Sequence, residues 1–321
     1  MTQPLAIITN CKSTRNLRGD AWIEPLLTNE KHVAHFKVVD VGEIPGVLGH
    51  CAAMGAETIV VNGGDGTAGL VFAGLLNHNV YRRLPALALL PAGKTNMTAA
   101  GWSMTGKPED ALRALLECRR DARLSEYAVE RPVLCVYRGG THLPLYGAFF
   151  GAAEMVDGIL FCRRHIYPLN MPNAISHTAA IGILLWRSML ARRGGGNIEV
   201  CDDDGLAEAG SFFAMVVTAL DQLLFGVRLM PDGRGKSSAP LTYVSLRPGV
   251  FPMLRAMGSL VSREVGPGPG RTMRITERLA LNFTGTYTLD GELYETRASE
   301  TLTLDGSKRL PFIQLPRRMQ A

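Results

Sequence analysis

The sequence predicts a fold of the class α/β plus β, in which an α/β domain precedes an antiparallel β-sandwich domain. Up to about residue 130, short apolar runs alternate with helical stretches, which is typical of a parallel sheet with helices on both faces. Beyond that point strand-like runs follow one another, which favours an antiparallel sandwich. The length of 321 residues leaves room for about two domains.

The first domain is predicted from four apolar runs and four helical stretches. The predicted strands are Leu5–Thr9, Phe36–Val41, Thr58–Val61 and Leu84–Leu90. The predicted helices are Asp20–Leu27, Val47–Met54, Ala68–Leu76 and Pro108–Arg120. Their alternation predicts a three-layer α/β/α domain over residues 1–130.

The second domain is predicted over residues 131–305. Val133–Tyr137 and Leu143–Phe149 flank Arg138–Thr141, which has the Gly-Gly composition of a hairpin turn. Phe251–Val261 is predicted to be a short helix with no role beyond packing. The further predicted strands are Ile198–Cys201, Phe212–Ala219, Leu224–Leu229, Leu241–Leu246, Thr272–Thr276, Leu281–Thr288 and Thr301–Leu304.

One helical stretch, His177–Arg193, interrupts this β-rich region. It is apolar, contains Trp186 and ends with Arg192 and Arg193 ahead of three glycines. Apolar bulk with flanking arginines suits docking at a lipid interface. A helix packed on the sandwich with solvated arginines explains the same residues, so both interpretations stay open.

Composition favours a soluble enzyme in a reducing compartment. The six cysteines are scattered without a Cys-x-x-Cys pair, which argues against zinc and against a disulfide framework. No signal peptide is visible, and no run of about eighteen apolar residues is long enough to span a bilayer. The net charge of +5 is too modest to indicate nucleic acid, but it suits contact with an anionic membrane face.

The most informative segment is Val60–Thr67, which reads Val-Val-Asn-Gly-Gly-Asp-Gly-Thr between a predicted strand and a predicted helix. Glycines let backbone N–H groups approach a ligand, and a helix N-terminus attracts anions. This combination predicts a phosphate-binding turn. A carboxylate there, Asp65, is useful if it holds Mg²⁺ or accepts a proton from an attacking hydroxyl. The alternative is an ordinary capping aspartate.

Two other loops follow predicted strands of the same sheet. Pro91–Ala99 contains Gly93, Lys94, Thr95 and Asn96, all able to contact phosphate. The N-terminal strand runs directly into the polar segment Asn10–Asn16. Each loop alone is also compatible with plain turn chemistry. In a parallel sheet, however, neighbouring strands end at one crevice, so the loops are expected to face the same ligand.

These motifs, in this order, resemble the diacylglycerol kinase catalytic superfamily, which includes bacterial lipid kinases and the sphingosine and ceramide kinases. The resemblance rests on four elements that span most of the chain. They are Asn10–Ser13, Gly63–Thr67, Pro91–Ala99 and the late Leu289–Glu292. The resemblance implies a cleft between the two domains. It also implies that a C-terminal segment, about 306–321 with a strand near Pro311–Leu315, returns to the first domain.

The resemblance implies an ATP-dependent lipid kinase that uses Mg²⁺. The acceptor would be the primary hydroxyl of a membrane lipid, either a ceramide or sphingoid lipid or a diacylglycerol. Asp65 and Glu292 are the predicted catalytic and metal-binding carboxylates, with Glu292 across the cleft; alternatively, Glu292 is a mere hairpin acid and Lys94 a solvated loop lysine. The predicted nucleotide-binding residues are Asn10, Lys12, Ser13, Gly63, Gly64, Gly66, Thr67, Gly93, Lys94, Thr95 and Asn96.

The chain also departs from the family pattern. The family's acid shortly after Gly63–Thr67 is missing, and Pro231–Lys236 keeps only the first aspartate of an element tied to a structural Mg²⁺. These departures favour a sphingolipid such as ceramide over the usual bacterial substrate. A soluble kinase similar to NAD kinases and a catalytically silent lipid-binding regulator remain alternatives. The expected location is cytoplasmic, with peripheral association at the inner face of the membrane, and a homodimer stays open.

Overall fold

The computed structural model describes residues 3–140, 142–161, 197–223, 226–230, 239–297 and 300–320. The chain separates into two compact units. The first comprises residues 1–133, 143–148 and 308–321, and the second comprises residues 134–142 and 149–307. The helix predicted at His177–Arg193 and the element Pro231–Lys236 lie outside the described residues.

The first unit contains one six-stranded sheet. Its strands are β1 (Leu5–Asn10), β2 (Val33–Val38), β3 (Thr58–Gly63), β4 (Ala86–Pro91), β5 (Ala128–Pro132) and β20 (Arg309–Ile313). They lie in the order β2-β1-β3-β4-β20-β5. The first four strands are mutually parallel, β20 is parallel to β4, and β5 is an antiparallel edge strand. The C-terminal strand therefore returns to the first sheet, as the resemblance implies.

Five helices belong to this unit: α1 (Ile23–Leu27), α2 (Ile44–Ala53), α3 (Asp65–His78), α4 (Met97–Trp102) and α5 (Pro108–Arg120). The bounds of α5 match the prediction, since Pro108 starts the helix and acidic and basic residues occupy its first and last turns. The predicted start of α3 at Ala68 is wrong. The helix begins three residues earlier, so the last three residues of Gly63–Thr67 form its first turn.

Helices cover both faces of the sheet, which confirms the three-layer prediction. Strands β1 and β3 are buried along their whole length, as expected for central parallel strands. Ile313 of β20 packs in a cluster with Leu112 and Leu115 of α5. Its neighbour Phe312 contacts Phe72 of α3, with ring centroids 5.6 Å apart. Successive strand residues point to opposite faces, so α5 and α3 lie on opposite sides.

A short strand, β7 (Leu145–Gly147), groups with the first unit, although the sequence places it in the second domain. It packs on α3. The amide of Asn77, near the end of that helix, donates a 3.1 Å hydrogen bond to the carbonyl of Pro144. These contacts group residues 143–148 with the first unit.

The second unit is built from antiparallel sheets, as predicted. The strand bounds are β6 (Leu134–Tyr137), β8 (Phe149–Ala152), β9 (Asn197–Asp202), β10 (Ala207–Ser211), β11 (Ala214–Thr218), β13 (Leu241–Leu246), β15 (Arg271–Thr276), β16 (Arg278–Asn282), β17 (Gly285–Leu289), β18 (Glu292–Thr296) and β19 (Thr301–Asp305). One sheet has the strands β10-β9-β16-β19-β6 and the other β15-β13-β11-β8-β17-β18. The two sheets are joined through Glu208 of β10, whose carboxylate accepts hydrogen bonds from Tyr243, Ser245 and Thr272.

The single strand predicted at Leu281–Thr288 is wrong. The segment forms the end of β16 and most of β17, which belong to different sheets. Gly285 has a φ of 152°, a conformation that favours glycine, and it starts the second strand. Among the described residues of this unit, the helices are α6 (Glu154–Phe161) and α7 (Val250–Ser262), and α7 confirms the predicted helix. A small parallel ladder joins β12 (Arg228–Leu229) to β14 (Glu264–Val265).

Candidate active site

Three loops meet at one edge of the first sheet. They follow the carboxyl ends of β1, β3 and β4, which are adjacent and parallel. Residues 10–16, 63–67 and 91–96 are therefore neighbours, as the predicted crevice requires. Backbone hydrogen bonds tie them together, since the amide of Arg15 donates to the carbonyl of Ala92 at 3.0 Å and Ala92 donates to Gly63 at 3.3 Å.

The two glycine loops touch through their backbones. A Cβ built on Gly93 would lie 2.5 Å from the Cα of Gly64, and one built on Gly64 would lie 3.2 Å from the Cα of Gly93. Carbon atoms in ordinary contact are about 3.5–4.0 Å apart, so Gly93 has no room for a side chain and Gly64 has room only if the loops shift slightly. Glycine at both positions therefore allows the close approach of the loops, and the contact between them is formed by backbone atoms.

The N-terminus of α3 forms the centre of this surface. A Cβ on Gly63 would lie 2.6 Å from the Cβ of Thr67, so the turn into the helix is also closed to side chains. The helix has 14 residues, and the N–H groups of its first turn have no acceptor within the helix. Such N–H groups, together with the positive end of the helix dipole, attract anions. The first glycine loop thus has the features of a phosphate site.

The carboxylate of Asp65 connects the first glycine loop to the second. It is only 6% exposed. Its Oδ2 accepts a 2.6 Å hydrogen bond from the Thr95 hydroxyl and a 3.2 Å bond from the Met97 amide, and its Oδ1 accepts a 2.9 Å bond from the Thr98 amide. Asp65 therefore caps the first turn of α4, a helix 32 residues further along the chain.

The second loop is closed by the side chain of Asn96. This residue has a φ of 53°, in the left-handed region that asparagine tolerates. Its Oδ1 accepts the Gly93 amide at 2.7 Å, and its Nδ2 donates to the Gly93 carbonyl at 3.0 Å. The sequence predicts that Asn96 contacts the nucleotide, but its amide is engaged within its own loop. Lys94 and Thr95 are exposed next to it.

The N-terminal loop, residues 10–16, is held on the start of α3 by Asn10. Its Nδ2 donates to the Thr67 hydroxyl at 2.8 Å, and its Oδ1 accepts the amide of Lys12 at 2.9 Å. Asn10 and Ser13 are each 8% exposed, whereas the Lys12 side chain is exposed. Of the predicted residues in this loop, Asn10 therefore positions Thr67, and Lys12 presents a charge at the surface.

The sequence prediction missed Asn16. This side chain is 6% exposed, and its Nδ2 donates to the carbonyl of Asn10 at 2.8 Å and to that of Asn62 at 3.0 Å. It thereby joins the ends of β1 and β3 just before each glycine or polar loop begins. Asn16 joins the two strands because its side chain is buried between them, and no sequence motif indicates that burial.

A small pocket lies beside the glycine contact. Its walls are formed by Gly63, Gly64, Asp65, Asn96 and Thr98. Its apolar lining consists of Val61, Ala68, Leu89, Leu90 and Ala99. Asp65 and residues of both glycine loops thus border this small pocket.

Glu292 belongs to the second unit, where it is the exposed first residue of β18. It follows a two-residue hairpin turn in which Asp290 and Gly291 have φ values of 50° and 87°, as in a type I′ turn. Asp290 is more deeply placed, at 9% exposure, and its Oδ1 accepts the amide of Phe149 at 2.9 Å. Glu292 therefore follows a hairpin turn, as the alternative interpretation of the sequence expects. Its catalytic role stays a prediction.

Among the residues that the structure describes, no three His, Cys, Asp or Glu side chains form a group that could hold a metal ion. In the described part of the chain, no helix has the length and apolar character needed to cross a membrane.

Comparison with known proteins relates the first unit to a family. Residues 4–126 match the model of the diacylglycerol kinase catalytic domain. The chain is similar to a Cronobacter sakazakii protein named "Probable lipid kinase YegS-like", with 34% identity over 116 residues. That match covers 35% of this chain and 38% of the relative's length.

Solved structures resemble the chain along its whole length. A structure described as a diacylglycerol kinase from Bacillus anthracis superposes with a TM-score of 0.65 at 14% identity, covering 98% of both chains. Two further structures from the same organism give TM-scores of 0.62 and 0.66 at 15% and 14% identity. At this identity the likeness establishes the two-domain fold.

Proposed function

Because residues 4–126 match the diacylglycerol kinase catalytic domain, we propose that this protein is a lipid kinase that transfers the γ-phosphate of ATP to a lipid hydroxyl. One observation carries the proposal: the two glycine loops meet at Gly64 and Gly93 with no space for a side chain on Gly93. Backbone N–H groups at the start of a helix, with no side chain in front of them, suit a phosphate group better than an apolar ligand.

The nucleotide phosphates would bind against the start of α3. The N–H groups of its first turn, in Asp65, Gly66 and Thr67, would donate to phosphate oxygens. Lys12 and Lys94 are exposed on the adjoining loops and would neutralise phosphate charge. Asn10, Asn16 and Asn96 would hold the loops in place, since their side chains are bonded to the protein itself.

A Mg²⁺ ion would be held here mostly by phosphate and water. Such an ion needs only one or two protein carboxylates, and Asp65 is the acidic residue of the glycine loops. When bound, Mg²⁺ would offset the negative charge that develops on the transferred group.

Asp65 would serve two purposes. Its bonds to the Met97 and Thr98 amides fix the second loop relative to the first. Its third bond comes from the hydroxyl of Thr95, an exposed residue that a substrate hydroxyl can replace. An acceptor hydroxyl in that place would donate to the same Oδ2 atom, which is the geometry that a general base needs.

The acceptor would be a lipid with a primary hydroxyl, either a ceramide or sphingoid base or a diacylglycerol. The departures of the sequence from the common bacterial pattern favour ceramide. Glu292 is proposed as a second carboxylate on the grounds of the resemblance, and its test is Glu292→Gln.

The experiment is transfer of labelled γ-phosphate from Mg·ATP to lipids in mixed micelles. The acceptors are ceramide, sphingoid base, diacylglycerol and monoacylglycerol, with NAD as a soluble acceptor. A labelled lipid identifies the head group of the acceptor. Labelled NADP would instead support a soluble kinase similar to NAD kinases. Nucleotide binding without any labelled product would favour the silent regulator, for which Asp65 is only a cap.

Two variants test the catalytic role of Asp65. If Asp65 accepts the proton, Asp65→Asn should lower turnover by about 10²–10⁴-fold. Losing the cap alone costs only about 0.5–2 kcal/mol of stability. Thr95→Val removes one bond to the carboxylate but leaves its charge, so its turnover at saturating ATP should stay well above that of Asp65→Asn. Turnover of Asp65→Asn within about tenfold of the wild type would exclude the catalytic role.

A further inference from the structure

Helix α7 of the second unit exposes large apolar side chains at its beginning. Phe251 is 81% exposed and Leu254 is 53% exposed. Residues three apart in a helix lie on the same side, so the two side chains are neighbours on one face. Arg255, Gly258 and Ser262 are also exposed, and their helical spacing continues that face toward the end of the helix.

One flank of the helix, beside the exposed face, is packed against Gly270 and Arg271. Pro252 is so close to Gly270 that a Cβ on that glycine would lie 2.7 Å from the proline ring. One turn before the end, the Ser259 hydroxyl accepts a 3.1 Å hydrogen bond from the guanidinium of Arg271. These two contacts anchor α7 on the second unit and leave Phe251 exposed.

The charges carried by α7 and its flanks are mostly positive, with the exposed acid Glu264 directly after Arg263. From residue 247 to residue 263 the sequence contains Arg247, Arg255 and Arg263 and no acidic residue. Arg255 and Arg263 are exposed, whereas Arg247 stacks over the ring of Phe212 at 4.3 Å. An exposed phenylalanine and leucine next to arginines is the composition of a helix that lies in the interface of an anionic membrane.

We propose that the exposed face of α7 docks this protein on anionic phospholipid bilayers, with Phe251 and Leu254 entering the acyl region and Arg255 at the head groups. A second copy of the chain fits less well, because two identical faces would bring their arginines together. This inference rests on the proposed function, since a lipid kinase must reach an acceptor that is buried in a membrane.

The test is sedimentation of the full chain with vesicles of phosphatidylcholine, with and without phosphatidylglycerol. The vesicles contain no acceptor lipid and the assay contains no ATP. We expect binding to the anionic vesicles that weakens as salt rises. Phe251→Ala should weaken this binding by about tenfold, because burial of a phenyl ring is lost. Arg255→Gln should weaken binding to the anionic vesicles only.

Leu143→Ala is the matched control for Leu254→Ala. Leu143 is 57% exposed but belongs to the first unit, so the same truncation there should leave vesicle binding unchanged. A gain-of-signal variant avoids any dependence on lost stability. In Phe251→Trp, the added fluorescence should shift to shorter wavelength when anionic vesicles are present.

Equal effects of Leu254→Ala and Leu143→Ala would overturn the inference. So would the absence of vesicle binding, or an added fluorescence in Phe251→Trp that does not shift with anionic vesicles. A change in sedimenting mass on Phe251→Ala would also overturn it, by showing that copies of the chain cover α7. The outcome is separate from that of the kinase assay. Vesicle binding through α7 without any labelled lipid leaves this inference standing and removes the proposed function.

Discussion

Replacing Gly93 by alanine tests whether the contact between the glycine loops is required. The added Cβ would lie 2.5 Å from the Cα of Gly64 and 3.0 Å from the Oδ1 of Asn96. The first of these neighbours is backbone, which cannot rotate away. To restore an ordinary carbon contact of about 3.5–4.0 Å, the two loops must separate by about 1 Å or more.

The expected cost follows from that overlap. Overpacking of this kind typically lowers the free energy of unfolding by about 1–3 kcal/mol. Separating the loops also strains the bonds between Asp65 and the Met97 and Thr98 amides. A displacement of about 1 Å in a site that positions reacting groups lowers turnover by about a hundredfold. Gly93→Ala should therefore lose stability and nucleotide binding together.

Gly49→Ala is the matched control, because it makes the same chemical change within the same unit. Gly49 lies inside α2, and a Cβ there meets no atom within 4 Å. Alanine in a helix interior should raise the free energy of unfolding by about 0.5–1 kcal/mol. Urea unfolding followed by tryptophan fluorescence measures both variants, since Trp102 is buried against Phe312 of the same unit.

The two substitutions should therefore change stability in opposite directions. A Gly93→Ala protein as stable as the wild type, with unchanged affinity for ATP, would refute the contact argument. An equal loss of unfolding free energy in Gly49→Ala would also refute it, because the first unit would then tolerate no added methyl group. The wild-type urea midpoint and ATP affinity are the reference for both comparisons.

Asn16→Ala removes a donor from two buried carbonyls and should cost about 1–3 kcal/mol of unfolding free energy together with ATP affinity. Asn77→Ala, which breaks the single bond to Pro144, should leave that affinity unchanged, and equal binding losses in both would contradict the role given to Asn16. Burial raises the pKa of the Asp305 carboxyl, but hydrogen bonds from Ser307 and Arg278 outweigh it and hold the pKa below the ordinary 3.8. This carboxylate should therefore stabilise the second unit fully above pH 3.8 and lose that contribution as the pH falls through its folded pKa. Urea midpoints of Asp305→Asn should fall less steeply at acidic pH than those of the wild type, and parallel curves would rule the effect out.

The sequence predicted the first unit well because its strands and loops obey local rules. Buried strands such as β1 and β3 appear as continuous apolar runs. Helix α5 has a proline at its start and a suitable distribution of charges, which fixes its bounds. The start of α3 was misplaced because the glycines of Gly63–Thr67 look like a loop, although the last of them lies within the helix.

The second unit was less predictable, because its strand limits depend on which sheet each strand joins. The run Leu281–Thr288 alternates apolar and polar residues like a single strand, yet its halves pair with strands far apart in the chain, β19 and β8. β10 was missed altogether, since Ala207–Ser211 has little strand propensity and gains its place by pairing with β9. Non-local pairing of this kind leaves no trace in a short window of sequence.

Asp65 shows where sequence reasoning about the site reached its limit. From the sequence, a capping role and a catalytic role of Asp65 are alternatives, because a capping residue normally lies at the start of its own helix. In the structure Asp65 stands in the first turn of α3 and caps α4 instead. The cap therefore crosses the recess between the two glycine loops. Any group that binds there meets a carboxylate already held at both oxygens, so capping positions this residue for the chemistry that we propose.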